Sequence, residues 1–141
     1  MHKILLLISV VSFSAQAHIQ IGTYKGQTFE GTECSVEFKS ISFITSFKHP
    51  LAERVTVLAH GKSFVLQHPV KVDAASVRYD DESLETSVPF QGGAEFFKVS
   101  MSHTAGDAGP KSFTHLIHDW QTETLTSFTC EGLEFQQSHL R

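Results

Sequence analysis

Histidine is the residue type here with the widest chemical repertoire, and the chain carries nine of them in 141 residues beside only two cysteines. The pair nearest to ligand spacing is His115-Leu116-Ile117-His118-Asp119. On a helix those imidazoles would share a face, whereas on a strand positions i and i+3 point to opposite sides. The alternation Phe113, His115, Ile117 has the strand period. It predicts His115 turned inward against a polar partner and His118 turned to water. The dipeptides His49-Pro50 and His68-Pro69 are 19 residues apart. Proline pushes the preceding residue toward extended backbone, so each marks a strand meeting a turn.

A different chemistry attaches to His18. Met1-His2-Lys3, the apolar run Ile4 to Val11 and the Ser14-Ala15-Gln16-Ala17 site have the order of a signal peptide over residues 1–17. Cleavage after Ala17 would leave a domain of residues 18–141 whose α-amine and imidazole can chelate copper together. This opening resembles the histidine brace of secreted copper proteins and polysaccharide monooxygenases. The resemblance rests on one residue and implies copper as cofactor, with a second histidine that no spacing singles out. An incidental histidine on a mobile chain end is the plainer account. The main expectation is no cofactor, with copper at His18 as the alternative.

Other catalytic signatures are missing from the sequence. There is no G-x-S-x-G elbow, no glycine-rich phosphate cradle and no calcium loop. Cys34 and Cys130 both fall in the exported part, where an even count predicts a bridge rather than a free thiolate. Acidic residues scatter along alternating segments without a pair poised for proton transfer. A non-enzymatic reading is therefore favoured.

The elements that must position these residues follow from composition. Beyond residue 17 the β-branched and aromatic residues number 40, against 15 for Ala plus Leu, a balance that favours strands. The formal charge of that part is −5, which gives no footprint for nucleic acid. No second apolar run is long enough to span a membrane.

Turn chemistry separates short alternating segments, as in an antiparallel sheet. A turn at Gly61-Lys62 would set Ala59 opposite Phe64 and Val57 opposite Leu66. A tight loop over Asp80 to Ser83 would set Tyr79 opposite Leu84, Val77 opposite Thr86 and Ala75 opposite Val88. Folding at Gly92-Gly93 would set Val88 opposite Phe97, Thr86 opposite Val99 and Leu84 opposite Met101. One buried face of Val57, Leu66, Val77, Leu84, Val88, Phe97, Val99, Met101 and Phe113 results. Two phase slips, between Phe38 and Ile41 and between Cys130 and Leu133, predict β-bulges, with Gly132 the natural site of the second.

Successive short connections make a meander of roughly eight strands, which closes into a small barrel to bury its apolar face. A bridge between Cys34 and Cys130 would bring the ends of that meander together. A two-sheet sandwich is the alternative. The expected class is all-β, and the expected function is an exported binding or interaction protein, secreted or periplasmic. Its partner, a protein, glycan or small molecule, would be met at rim loops. The long polar connection with His103, Asp107 and Lys111 is the candidate binding loop, and His115 with Tyr79 a candidate small pocket. A copper protein built on His18 and a structural envelope protein are the other readings.

Overall fold

The computed structural model describes residues 19–44 and 51–137. The proposed signal peptide, His18, His49 and His139 lie outside these residues. All regular structure in the described residues is strand: β1 Gly22–Gln27, β2 Glu33–Ile44, β3 Leu51–Ala59, β4 Lys62–Leu66, β5 Val70–Val72, β6 Val77–Tyr79, β7 Ser83–Phe90, β8 Gly93–Ser102, β9 Gly109–Asp119 and β10 Thr124–Phe135. Eight of them form one antiparallel sheet in the order β4-β3-β2-β1-β10-β9-β8-β7, while β5 and β6 pair only with each other. The sheet curls into a nearly closed barrel. β1 and β10, the first and last strands in the described residues, pair with each other.

The open seam lies instead in the middle of the chain, between β4 and β7. There a single bridge, Gln67 to Glu85, joins the edges through two backbone hydrogen bonds of 3.1 and 2.8 Å. In a two-residue hairpin the backbone groups alternate between the paired strand and the outside. Ser63, Val65, Ser87 and Pro89 are thereby aimed into the seam, so Pro89 stands where a missing N–H breaks no ladder.

Alternation set the buried face correctly in most strands, but not the registers. The β3–β4 loop is His60-Gly61, with both residues at positive φ (54° and 73°), and Val57 faces Phe64 while Val55 faces Leu66. Likewise β7 and β8 turn at Gln91-Gly92, placing Leu84 opposite Val99, Thr86 opposite Phe97 and Val88 opposite Glu95. Each register is displaced by two residues, which leaves the same side chains inside. The expected β6–β7 hairpin does not form. Val77 and Tyr79 pair with Val72 and Val70 on a separate ribbon. Val77, at 66% exposure, and Val88, at 45%, are therefore not core residues.

Both bulges are present. The β2–β3 register shifts between Phe38 and Ser40 and again between Ser42 and Phe43, so Ile41 turns toward the core and Phe43 does not. The β1–β10 register shifts between the pairs Lys25–Glu134 and Gln27–Glu131, where Gly132 adopts a φ of 67° and Cys130 and Leu133 both point inward.

The core runs from Tyr24, Val36 and Phe38 on one side to Leu84, Phe97, Val99 and Phe113 on the other. Cys34 and Cys130 are bridged across it, with Cα atoms 6.1 Å apart. They sit on β2 and β10, the two neighbours of β1. Strands two apart in a sheet are normally about 9–10 Å from each other, so the sheet is pinched at this point. Gly26 of β1 allows the pinch, because a Cβ there would overlap the Glu131 carbonyl.

Candidate functional site

The inward face of β8 and β9 carries a polar pair within the aromatic core. Phe97 faces His115, and two residues nearer the barrel mouth Glu95 faces Ile117. The alternation that buries Phe97 and Val99 also turns Glu95 inward. His115 Nε2 lies 2.6 Å from Glu95 Oε2. An ionised carboxylate can only accept, so Nε2 carries the hydrogen. Lys62 reaches the same carboxylate from β4, with Nζ 3.0 Å from Oε2 and 3.3 Å from Oε1. Burial alone would raise the Glu95 carboxyl, but the hydrogen bonds from His115 and Lys62 outweigh it and hold the group below the usual carboxylate range.

His60 completes the cluster. The left-handed backbone of the β3–β4 turn lays its imidazole on that of His115, with ring centroids 5.3 Å apart and planes inclined by 22°. Phe128 meets it edge-on at 4.5 Å and Phe113 at 6.0 Å. Burial, and then the charge of His115, push the His60 imidazole below its ordinary value. Beneath it Phe64 stacks on Phe97 at 4.6 Å and Phe97 on Phe113 at 5.2 Å. All three rings are at most 3% exposed, so the barrel is filled at this level.

Of the two residues expected to line a small pocket, His115 and Tyr79, the cluster contains His115. His115 is buried, at 7% exposure, and bonded to a polar partner, while His118 faces out and accepts from Trp120 Nε1 at 3.1 Å. Tyr79 does not join it. It lies on the β5–β6 ribbon, 47% exposed, and the expected pocket between the two residues is not assembled. His60, Lys62 and Glu95 were missed, although Glu95 sits in phase with Phe97 and Val99 and so carried a signal. No group of three metal-ligating side chains occurs among the described residues.

The opposite end of the barrel gathers the other candidate residues. The β8–β9 connection closes with Ser102 opposite Gly109 and Met101 opposite Pro110, shorter than the stretch His103 to Lys111 suggested. Within it Asp107 pairs with Lys111. His103 Nε2 lies 2.6 Å from the Asp81 carbonyl and so ties the loop to the β6–β7 connection. On the neighbouring side buried His68 uses Nδ1–H toward the carbonyls of Ser83 at 2.8 Å and Asp80 at 3.0 Å. Two carbonyl acceptors place the proton on Nδ1.

His68 thus clamps the base of the β5–β6 ribbon. The pairs Val70–Tyr79 and Val72–Val77 put four apolar side chains on one ribbon face, between 47% and 75% exposed. Where ribbon meets seam, Val65, Val70, Phe96, Glu85 and Ser87 line an open groove of about 450 Å³. A second groove of about 330 Å³, between Tyr24, Pro110, Lys111 and Phe135, adjoins the foot of the β8–β9 loop.

No protein-family model, curated protein or solved structure matches this chain.

Proposed function

We propose that the protein is an exported, non-enzymatic binding protein that recognises another polypeptide on the outside of its barrel, at the end formed by the ribbon and the β8–β9 loop. The supporting observation is where the apolar side chains lie. Phe64, Phe97 and Phe113 fill the interior, while Val70, Val72, Val77 and Tyr79 form an uncovered row on a ribbon that stands apart from the main sheet. A contiguous exposed apolar row is the usual mark of an interaction surface. Aliphatic side chains suit a polypeptide better than a glycan, whose hydroxyls would lose water without gaining partners. The strand edges on either side of the row add backbone donors and acceptors for an extended segment.

Export to an oxidising compartment, secreted or periplasmic, belongs to the same proposal, because a buried disulfide persists there. Among the described residues no helix is long and apolar enough to cross a membrane.

Site-specific photo-crosslinking tests the reading. A crosslinker replacing Val72 or Ala105 should capture one defined polypeptide from the envelope or medium of the producing cells, and Val77→Asp should abolish capture at Val72. The same crosslinker at Leu125, exposed on another part of the barrel, should capture none. Equal capture at all three positions, or none from the folded protein, would overturn the proposal.

A further inference from the structure

The mouth cluster joins two halves of the molecule that the backbone leaves almost unconnected on that side. His60 and Lys62 belong to the β3–β4 hairpin, and Glu95 and His115 to β8 and β9. Between these halves runs the seam, held by its bridge at Gln67 and Glu85, near the end of β4 remote from the mouth. Toward the mouth, the described contacts across it include the Lys62–Glu95 ion pair, the stack of His60 on His115 and the packing of Phe64 on Phe97. We infer that this cluster is a pH-sensitive latch: with His60 neutral it holds the β3–β4 turn across the barrel mouth, and protonation of His60 beside Lys62 and the His115 ring releases the turn and loosens the seam.

The electrostatics give the direction. Every element packed around His115 contributes to the count of charges. β8 supplies Glu95, the β3–β4 hairpin supplies His60 and Lys62, and β10 presents only uncharged Phe128 and Thr126 on this face. Further along β9, Asp119 is engaged by the backbone N–H groups of Gln121 and Thr122. His115 and Lys62 already share the one carboxylate on this face, Glu95. A proton on His60 finds no carboxylate of its own. It would set a cation on the His115 ring and beside Lys62, with Glu95 engaged by both of them. His60 is the ring with a route to solvent, so it leaves the stack as it charges and carries the turn with it. The lowered affinity of His60 for a proton agrees with this direction.

Amide hydrogen exchange on the full mature chain, corrected for the intrinsic pH dependence of exchange, tests the latch. Between pH 7.5 and pH 5.0 the protection of Lys62 and Phe64 should fall about tenfold, which is about 1.4 kcal/mol of local stability. Amides of the β1–β10 ladder should stay protected, which separates release of the turn from global unfolding. His60→Asn keeps a residue tolerant of the left-handed backbone but removes the ring. It should show low protection of the turn at both pH values. His115→Phe keeps the packing but removes the polar ring stacked on His60 and its hydrogen bond to Glu95, and should shrink the pH step. Protection of the turn that is flat with pH in the wild type, or a step that persists in His60→Asn, would overturn the inference.

Discussion

Phe64 and Phe97 stack face to face at 4.6 Å although the edges nearest to them, β4 and β7, share a single bridge. The barrel is thus closed at this level by side chains rather than by a ladder. Truncating Phe97 removes a fully buried ring from between Phe64 and Phe113, and should cost about 3–5 kcal/mol in urea denaturation. Val77→Ala, on the exposed ribbon face, should stay within about 0.5 kcal/mol. A loss below about 1 kcal/mol for Phe97→Ala would show that this stack does not carry the core.

The Cys34–Cys130 bridge spans 96 residues. In the chain-entropy account a loop of that size contributes about 4.7 kcal/mol through the unfolded state. Reduction, or replacement of both cysteines by Ala, should lower stability by a few kcal/mol, and thiol titration of the denatured, unreduced protein should find no reactive thiol. Two reactive thiols would contradict the pairing.

Gly26 stands where the sheet is pinched by the disulfide, and the obstacle to a side chain there is backbone, the Glu131 carbonyl, which cannot swing aside. Gly26→Ala should cost about 1–3 kcal/mol. Gly31→Ala meets no neighbouring atom and tests backbone strain alone, because its φ is 88°. The first substitution should be partly relieved when the disulfide is removed and the second should not. Equal responses would show that the pinch does not depend on Gly26.

His68→Ala removes the Nδ1 donor from two carbonyls at the base of the ribbon. Leaving buried acceptors unpaired should cost about 1–3 kcal/mol and raise hydrogen exchange in β5 and β6 more than in β9. Ribbon exchange that stays unchanged would mean that the Asp80 and Pro69 backbone contact, at 2.9 Å, holds the arm by itself.

Acidification should destabilise the fold in two stages. His60 binds a proton less readily when folded, so its neutral form stabilises above its ordinary value of 6.5, and that contribution is lost as pH falls through the lowered folded value. Glu95 is likewise depressed below its ordinary 4.5, so its contribution is complete above that pH and disappears below it, with Asp80 adding to the same stage. Urea midpoints measured from pH 8 to pH 3 should show both stages, and His60→Asn should remove only the first. One stage alone in the wild type, below pH 4.5, would contradict the role given to His60.

How far these features could be read from residues depends on what alternation encodes. The period of two reports which side chains share a face, and it did so for Phe64, Leu66, Phe97, Val99 and Phe113. It is blind to a register displaced by two, which is why turns expected at Gly61-Lys62 and Gly92-Gly93 lie one residue earlier. The His60-Gly61 turn depends on His60 accepting a positive φ, which histidine does more often than most residues but still uncommonly. Alternation is equally blind to whether a face is covered. Val70, Val72, Val77 and Tyr79 have the pattern of a core strand, yet nothing in the described structure packs over them. At the mouth, His115 was legible because it interrupts an apolar series. Glu95 showed only its phase with Phe97 and Val99, since the partners from β4 and β9 that stabilise a carboxylate on an inward position are announced by no local pattern.

The pairing of β1 with β10 has a kinetic consequence. Tyr24 lies opposite Phe135, so the central ladder of the sheet cannot form until nearly the whole chain has been brought round, which is slow for topologies rich in distant contacts. Rewiring would remove that delay. A circular permutant opened between Ala74 and Ala75 in the ribbon, with a short linker joining the neighbouring ends of β1 and β10, would place β7, β8, β9, β10, β1, β2, β3 and β4 in the order in which they already pair. Every neighbour in its main sheet would then be the next strand in sequence, and the same barrel should assemble faster.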